Sequence, residues 1–149
     1  MDYIEYMIAD FMSRLEGAAE YDDFYEISCM VVEDMAGNEE SSELVEPVIR
    51  FIEEHPHLPF GNPGPLVHFV EEYYQQGYEP LLMESVKRCP TPHTLWMLTH
   101  LIYAEDDPNH DNYVALLRDT AARSDLDEAT RQAADKYIKH IDGEQGVSQ

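Results

Sequence analysis

Apolar residues in this chain recur every three or four positions, with no sustained alternation, and that period predicts helices rather than strands. Ile4, Met7, Ile8, Phe11 and Leu15 mark the inner face of a first helix over residues 3–16. Asp2, Glu5, Asp10 and Glu16 fall outside it, and Gly17 is the expected break. A second helix, 19–35, turns Phe24, Ile27, Val31 and Met35 inward. Asp22, Glu26 and Glu33 share another side, because separations of four and seven residues return to one face. Gly37-Asn38 stops this helix. Ser41 or Ser42 caps a third, with Leu44, Val45, Val48, Ile49 and Ile52 as its core. Pro47 is tolerated only near a helix start, so that start can lie later than Ser42. Residues 55–61, His-Pro-His-Leu-Pro-Phe-Gly, form a proline-stiffened connector.

Three consecutive helices follow between Gly61 and Glu105. Asn62 is the expected cap of the first, with Pro63 and Pro65 in its first turn, where the N–H groups lack helical acceptors anyway. Leu66, Val67, Phe69, Val70, Tyr73 and Tyr74 keep a helical period, and Gly77 supplies the stop. The next helix carries Tyr78, Leu81, Leu82, Val86 and Cys89 and ends at Pro90. Thr91-Pro92 restarts the chain as cap and first residue. Leu95, Trp96, Met97, Leu98, Leu101, Ile102 and Tyr103 then make a helix apolar nearly all round, the expected hub of the core. After an acidic turn, Asp107 with Pro108 is the expected start of a helix holding Tyr113, Val114, Leu116, Leu117 and Ala121. Asp125 and Glu128 fit a capping box for a last helix with Leu126, Ala129, Ala133, Tyr137, Ile138 and Ile141. Gly143 is its expected end, with residues 143–149 a disordered tail.

The expectation is therefore all-α: about eight helices in stacked antiparallel hairpins, an irregular HEAT-like array or a compact bundle. At 149 residues one domain is expected, with acidic N-terminal helices (3–54), central helices (63–104) and a C-terminal hairpin (108–142). No clean repeat stands out at the usual solenoid periods.

The segments GNPGPLVHFVE, YEPLL and PTPHTLWML resemble a family of small α-helical bacterial immunity proteins, the antidotes encoded beside polymorphic or contact-dependent toxins. The resemblance covers roughly the last 90 residues and is weaker over the first 60. It implies an antidote that binds one cognate toxin one-to-one and occludes it, without catalysis and without a cofactor.

Charge sharpens this picture. Thirty-one acids against nine bases give a net −22. Residues 1–60 hold sixteen acids and two bases, net −14; residues 61–149 hold fifteen and seven, net −8. Nucleic acid and anionic membrane surfaces repel such a chain, because phosphate binding needs cations. A basic protein is attracted instead, with association speeded by about 10 to 10³. A toxin that is a nuclease would offer its basic substrate groove as the complement. The plainer reading is that the acids serve solubility. Cys29 and Cys89 sit among apolar residues and read as buried thiols of a reducing compartment. The N-terminus shows no signal-peptide pattern, and no apolar run approaches the ~20 residues of a membrane span, so the expected location is the cytoplasm.

Candidate chemistry is thin. Asp107-x-Asn109-x-Asp111 starts like a calcium loop, but Asn112 stands where the turning glycine belongs and Arg118 where the final glutamate belongs. A helix cap explains those residues. Seven histidines include no HExxH and no pair four apart on one helix, so no metal is expected; His68 and His100 read as packed at helix interfaces. No nucleophile elbow or phosphate loop occurs, and the chain is read as no enzyme. Tyrosines beside acids say more. Aromatic rings anchor protein contacts and carboxylates steer them. Tyr21, Asp22, Asp23, Glu26, Glu33, Asp34, Glu39, Glu40 and Glu43 form the candidate partner-binding surface. Glu71, Glu72 and Tyr74 form a second patch. The alternative is a helical scaffold or adaptor that binds a peptide or protein, its acidity serving only solubility.

Overall fold

In a computed structural model, described for the backbone of residues 2–147 and the side chains of residues 2–143, the chain is all-α. The helices are α1 (Tyr3–Ala18), α2 (Phe24–Ala36), α3 (Val45–Glu54), α4 (Gly64–Glu71), α5 (Tyr78–Arg88), α6 (Pro92–Ile102), α7 (His110–Ala121) and α8 (Glu128–Val147). A 3-10 turn, Ser41–Leu44, leads into α3, so Pro47 sits in the first turn of the α-helix proper. No strand occurs among the described residues. The chain divides into two compact units, residues 1–81 and 82–149.

In the first unit, Asp2 caps α1 by accepting the Glu5 N–H at 2.8 Å. The helix passes through Gly17, its expected break, to Ala18. Successive turns at Tyr21 and Phe24 reverse the chain, so α2 begins at Phe24 rather than at 19. The two helices form an antiparallel hairpin, closed where Asn38 Nδ2 donates to the Tyr3 hydroxyl at 3.2 Å. Both α1 and α4 pack on α2, and α3 packs on α1 and α4.

The buried centre is aromatic. Phe24 stacks on Phe51 at 6.0 Å between centroids, and Phe60 meets both edge-on, at 5.9 and 6.3 Å. All three are essentially inaccessible. Burying each contributes about 1.5–3 kcal/mol, and each favourable ring pair about 0.5–1.5 kcal/mol more. Phe60 comes from the connector, which is thereby part of the core. Directly after it, Gly61 (φ +103°) and Gly64 (φ +83°) bend the chain around a cis Asn62–Pro63 peptide. Hence α4 starts at Gly64, with Pro65 in its first turn and no side-chain cap from Asn62. It ends at Glu71, earlier than expected, because three turns carry the chain through Tyr73, Tyr74 and Gln76 to Gly77 at φ +105°.

In the second unit, α6, α7 and α8 pack on one another, and α6 buries Leu95, Met97, Leu98, Leu101 and Ile102. Thr91 and Thr94 close a reciprocal capping box, each accepting the other's backbone N–H at 3.1 Å, with Pro92 at the first helical position. The expected cap at Asp107 is displaced. Its Oδ1 accepts the Asn109 N–H at 2.8 Å and the Tyr113 hydroxyl donates to its Oδ2 at 3.2 Å, so the carboxylate shapes the turn before α7. Asp125 does not cap α8 either, because Arg123 holds it through two bonds of 2.9 and 2.7 Å; Asp127 caps instead, accepting the Thr130 N–H at 2.8 Å. The backbone of α8 continues past Gly143 to Val147, and residues 148 and 149 of the expected tail lie outside the described residues.

Both cysteines are exposed, against the expectation of buried thiols. Cys29 lies on the outer row of α2 with Glu26 and Glu33, and Cys89 lies just past α5.

The two glycines 17 and 61 separate conformational from steric need. A Cβ at Gly61 would lie 2.6 Å from Gly64 Cα and 2.7 Å from the Tyr25 ring, whereas one at Gly17 meets nothing within 4 Å. In chemical denaturation, Gly61→Ala is expected to lose about 1–3 kcal/mol of stability, and Gly17→Ala to gain about 0.5–1 kcal/mol.

Candidate functional site: an acidic face

Every residue of the expected partner-binding surface lies in the first unit. That unit carries nineteen acids and two bases, net −17, while the second carries twelve and seven, net −5. Both cations of the first unit are already engaged: Arg14 donates to Asp34 at 2.7 Å, and Arg50 pairs with Glu46 one turn away. Both pairs are solvent-exposed, so each contributes at most about 1 kcal/mol. What they do is remove the only positive charges of the unit from competition with an incoming one.

The face is built on α2 and its flanking turns. Asp22 and Asp23 are exposed in the turn before α2, beside Tyr21, which is 63% accessible. Glu26 and Glu33 are exposed along the helix, as their spacing predicts, and Asp34 is exposed beside Glu33. Glu39 and Glu43 are exposed and Glu40 is half-buried beyond its C-terminal end, where the Glu40 N–H donates to Asn38 Oδ1 at 2.9 Å. From Asp22 to Glu39 the row extends over roughly 20–25 Å of helix and turn.

The second patch adjoins the first. The hydroxyls of Ser41 and Tyr73 lie 2.6 Å apart, which fixes the turn after α4 against the 3-10 turn. Glu72 and Tyr74 flank Tyr73 in sequence, and Glu40 and Glu43 flank Ser41. The bond therefore brings together two acidic segments, joining residues thirty-two apart in the chain. Within the patch the exposure differs: Glu72 is open, 3.3 Å from His68, whereas Glu71 and Tyr74 are half-buried. His68 itself is exposed, not packed as expected, because it falls on the outer side of α4.

Three further exposed groups belong to this unit. Met30 is 67% accessible and sits one turn from both Glu26 and Glu33 on the same outward row of α2. Tyr3 and Tyr6 are 62% and 65% accessible on α1. The helical period already places Met30 among the acids; composition alone suggests a core methionine. Nothing local in sequence joins Tyr3 to Asn38, since that contact exists only once the hairpin has closed.

Among the described residues no three His, Cys, Asp or Glu side chains are grouped to hold a metal ion, and no helix is long and apolar enough to cross a membrane.

Beneath the second patch lies Tyr78, fully buried at the start of α5, its hydroxyl without a hydrogen-bond partner among the described protein groups. Burial, and then the neighbouring Glu71 and Glu79, push its pKa well above the ordinary tyrosine value of 10.0. The folded state therefore keeps a proton that the unfolded chain releases above pH 10, and stability falls as pH rises beyond that point. Tyr78→Phe is expected to leave neutral-pH stability unchanged or raised and to weaken the alkaline loss, read by urea unfolding at pH 7 and at pH 10.5–11.

No protein-family model matches the chain, and neither curated proteins nor solved structures give a match.

Proposed function

We propose that the chain is an immunity protein that neutralises a cognate secreted bacterial toxin by tight one-to-one binding through the acidic face of its first unit. The observation that carries this reading is the concentration of charge. A net −17 on 81 residues, with both local cations engaged, exceeds what solubility requires, for which a net charge of about 2–8 suffices in a small domain. Exposed Tyr21 and Met30 stand within the acids and supply apolar contact area, as the centre of a protein interface needs. The partner is basic. A nuclease fits best, because its phosphate-binding groove presents the cations this face lacks, and the acids would then occupy the path of the nucleic acid. The action is steric and electrostatic blockade in the cytoplasm of the protected cell, with no catalysis, no cofactor, and no direct contact with nucleic acid or membrane.

The test begins with a tagged pull-down from the native strain, eluted in steps of rising salt. One partner at one-to-one, corresponding to the C-terminal part of a much larger secreted protein, is expected, and its expression alone should arrest growth that co-expression of this chain restores. The triple charge reversal Asp22→Lys, Asp23→Lys, Glu26→Lys is expected to abolish that rescue and to slow association by about tenfold or more at low salt. Full rescue by the reversed variant would move the interface elsewhere and leave the acids to solubility.

A further inference from the structure

The second unit uses its cations differently, and the difference marks a place. Arg118 clamps α7 to α8 by donating to Asp142 at 2.6 Å, Arg123 is paired with Asp125, and Arg131 donates to the Arg123 carbonyl at 3.0 Å. Lys87 lies 3.7 Å from Glu84. In a chain with 31 acids such pairing is the rule. Lys136 and Lys139 depart from it: neither forms an ion pair among the described residues. Both line one groove between α6 and α8, with a volume of about 510 Å³.

The groove wall is aromatic. Trp96 lines it from α6 and Tyr103 from the cap just past its end, and Tyr137 and His140 line it from α8. The Trp96 indole is held between two histidines on its own helix, edge-on to His93 at 5.4 Å and to His100 at 4.3 Å. Tyr103 meets His140 edge-on at 5.9 Å, and Lys136 Nζ lies 6.0 Å from the centre of the Tyr137 ring. A rigid ring wall with two cations at its mouth is the arrangement that receives a flat molecule carrying negative charge. Rings stack or meet edge-on at the wall, and ammonium groups pair with the anion at the rim. The volume lies in the range of small-molecule sites.

We infer that this groove is a binding site for a small planar anion, an aromatic ring bearing a phosphate or carboxylate, with the ring against Trp96 and Tyr103 and the anion between Lys136 and Lys139. The site is separate from the acidic face in both residues and sign of charge, so neither reading depends on the other. Lys136 and Lys139 are exposed three residues apart on α8, so both ammonium groups can reach one anion.

The molecule carries its own reporter, since Trp96 is its single tryptophan. Titrating the full chain with phenyl phosphate, benzoate and adenosine 5′-monophosphate, exciting at 295 nm, should give saturable quenching with at least one of them. That binding should weaken as salt rises. Adenosine, which has the ring without the charge, and inorganic phosphate, which has the charge without the ring, should each bind about tenfold more weakly or worse. The double variant Lys136→Gln, Lys139→Gln should lose binding by a similar factor while retaining its far-UV circular dichroism and melting temperature; Tyr103→Ala should weaken the ring-bearing probes and leave inorganic phosphate unchanged. Absence of saturable quenching by all three aromatic anions at millimolar concentration would overturn the inference. So would equal binding of adenosine and its monophosphate, or full binding by the lysine variant.

Discussion

Like charges packed along one side of a molecule repel, and the first unit carries a net −17 on 81 residues. Asp23, at the cap of α2, and Glu26 are three residues apart, and helix neighbours at that separation stand about 5–6 Å apart, inside a screening length of about 8 Å at physiological salt. Two exposed ion pairs offset little of this. The opposing force is burial, and it is concentrated where Phe24, Phe51 and Phe60 meet. Two of those rings come from helices and the third from the connector between α3 and α4. The segment that looks most like a spacer therefore supplies a third of the aromatic centre on which the charged exterior rests.

The same connector also positions that exterior. Immediately after Phe60, Gly61 and Gly64 draw the backbone tightly around the edge of the Tyr25 ring, close enough that a single methyl group at Gly61 has no room. Phe24 and Tyr25 are consecutive. One points into the core and the other lies over the glycine turn, so the start of α2 is gripped on two sides. Asp22, Asp23 and Glu26 are presented from this gripped end. At the other end of α2 the bonds from Asn38 to Tyr3 and between Ser41 and Tyr73 do similar work. Preorganised carboxylates lose less freedom on binding than those on a loose loop, which is the property the proposed interface calls for.

Much of this was legible in the residues, and the limits have physical causes. Apolar period alone predicts the all-α class and the inner faces of α1 and α2, because burial is what that period serves. Thr91-Pro92 predicts its cap correctly, since both partners of the box lie within one turn. Caps failed where a distant or competing group intervened. Asp125 was taken by Arg123, Asp107 was drawn to Tyr113, and Asn62 was carried out of position by the turn at Gly61. For the acidic face, the spacing of Glu26 and Glu33 gave their common side of α2, but Asp22, expected on the same helix, lies in the turn before it, because α2 begins only at Phe24. The junction of the two patches was not, because a hydroxyl pair thirty-two residues apart has no local signature. The aromatic groove was missed for a related reason: Trp96 and Tyr103 read as core by composition, and only the packing of α6 on α8 shows that they border an open groove instead.

The division of labour between arginine and lysine makes the last connection between sequence and structure. A guanidinium offers several donors in a fixed plane and is held well by a carboxylate and a carbonyl at once. Arg118 and Arg123 behave in this way: Asp142 and Asp125 bind them, and each carboxyl is held below its ordinary range by the arginine it receives. Arg123 also reaches the Lys87 carbonyl at 3.0 Å. Such groups are spent on structure. An ammonium on a flexible stem is a point charge with rotatable donors, more easily kept available for something that comes and goes. In this chain Arg118 and Arg123 fasten helices and turns, while the two lysines of α8 form no ion pair among the described residues and line the aromatic groove. The first unit shows the reverse case, with Arg14 and Arg50 engaged and most of its carboxylates outward. Which charges are satisfied internally and which are left facing solvent is thus written differently into the two units.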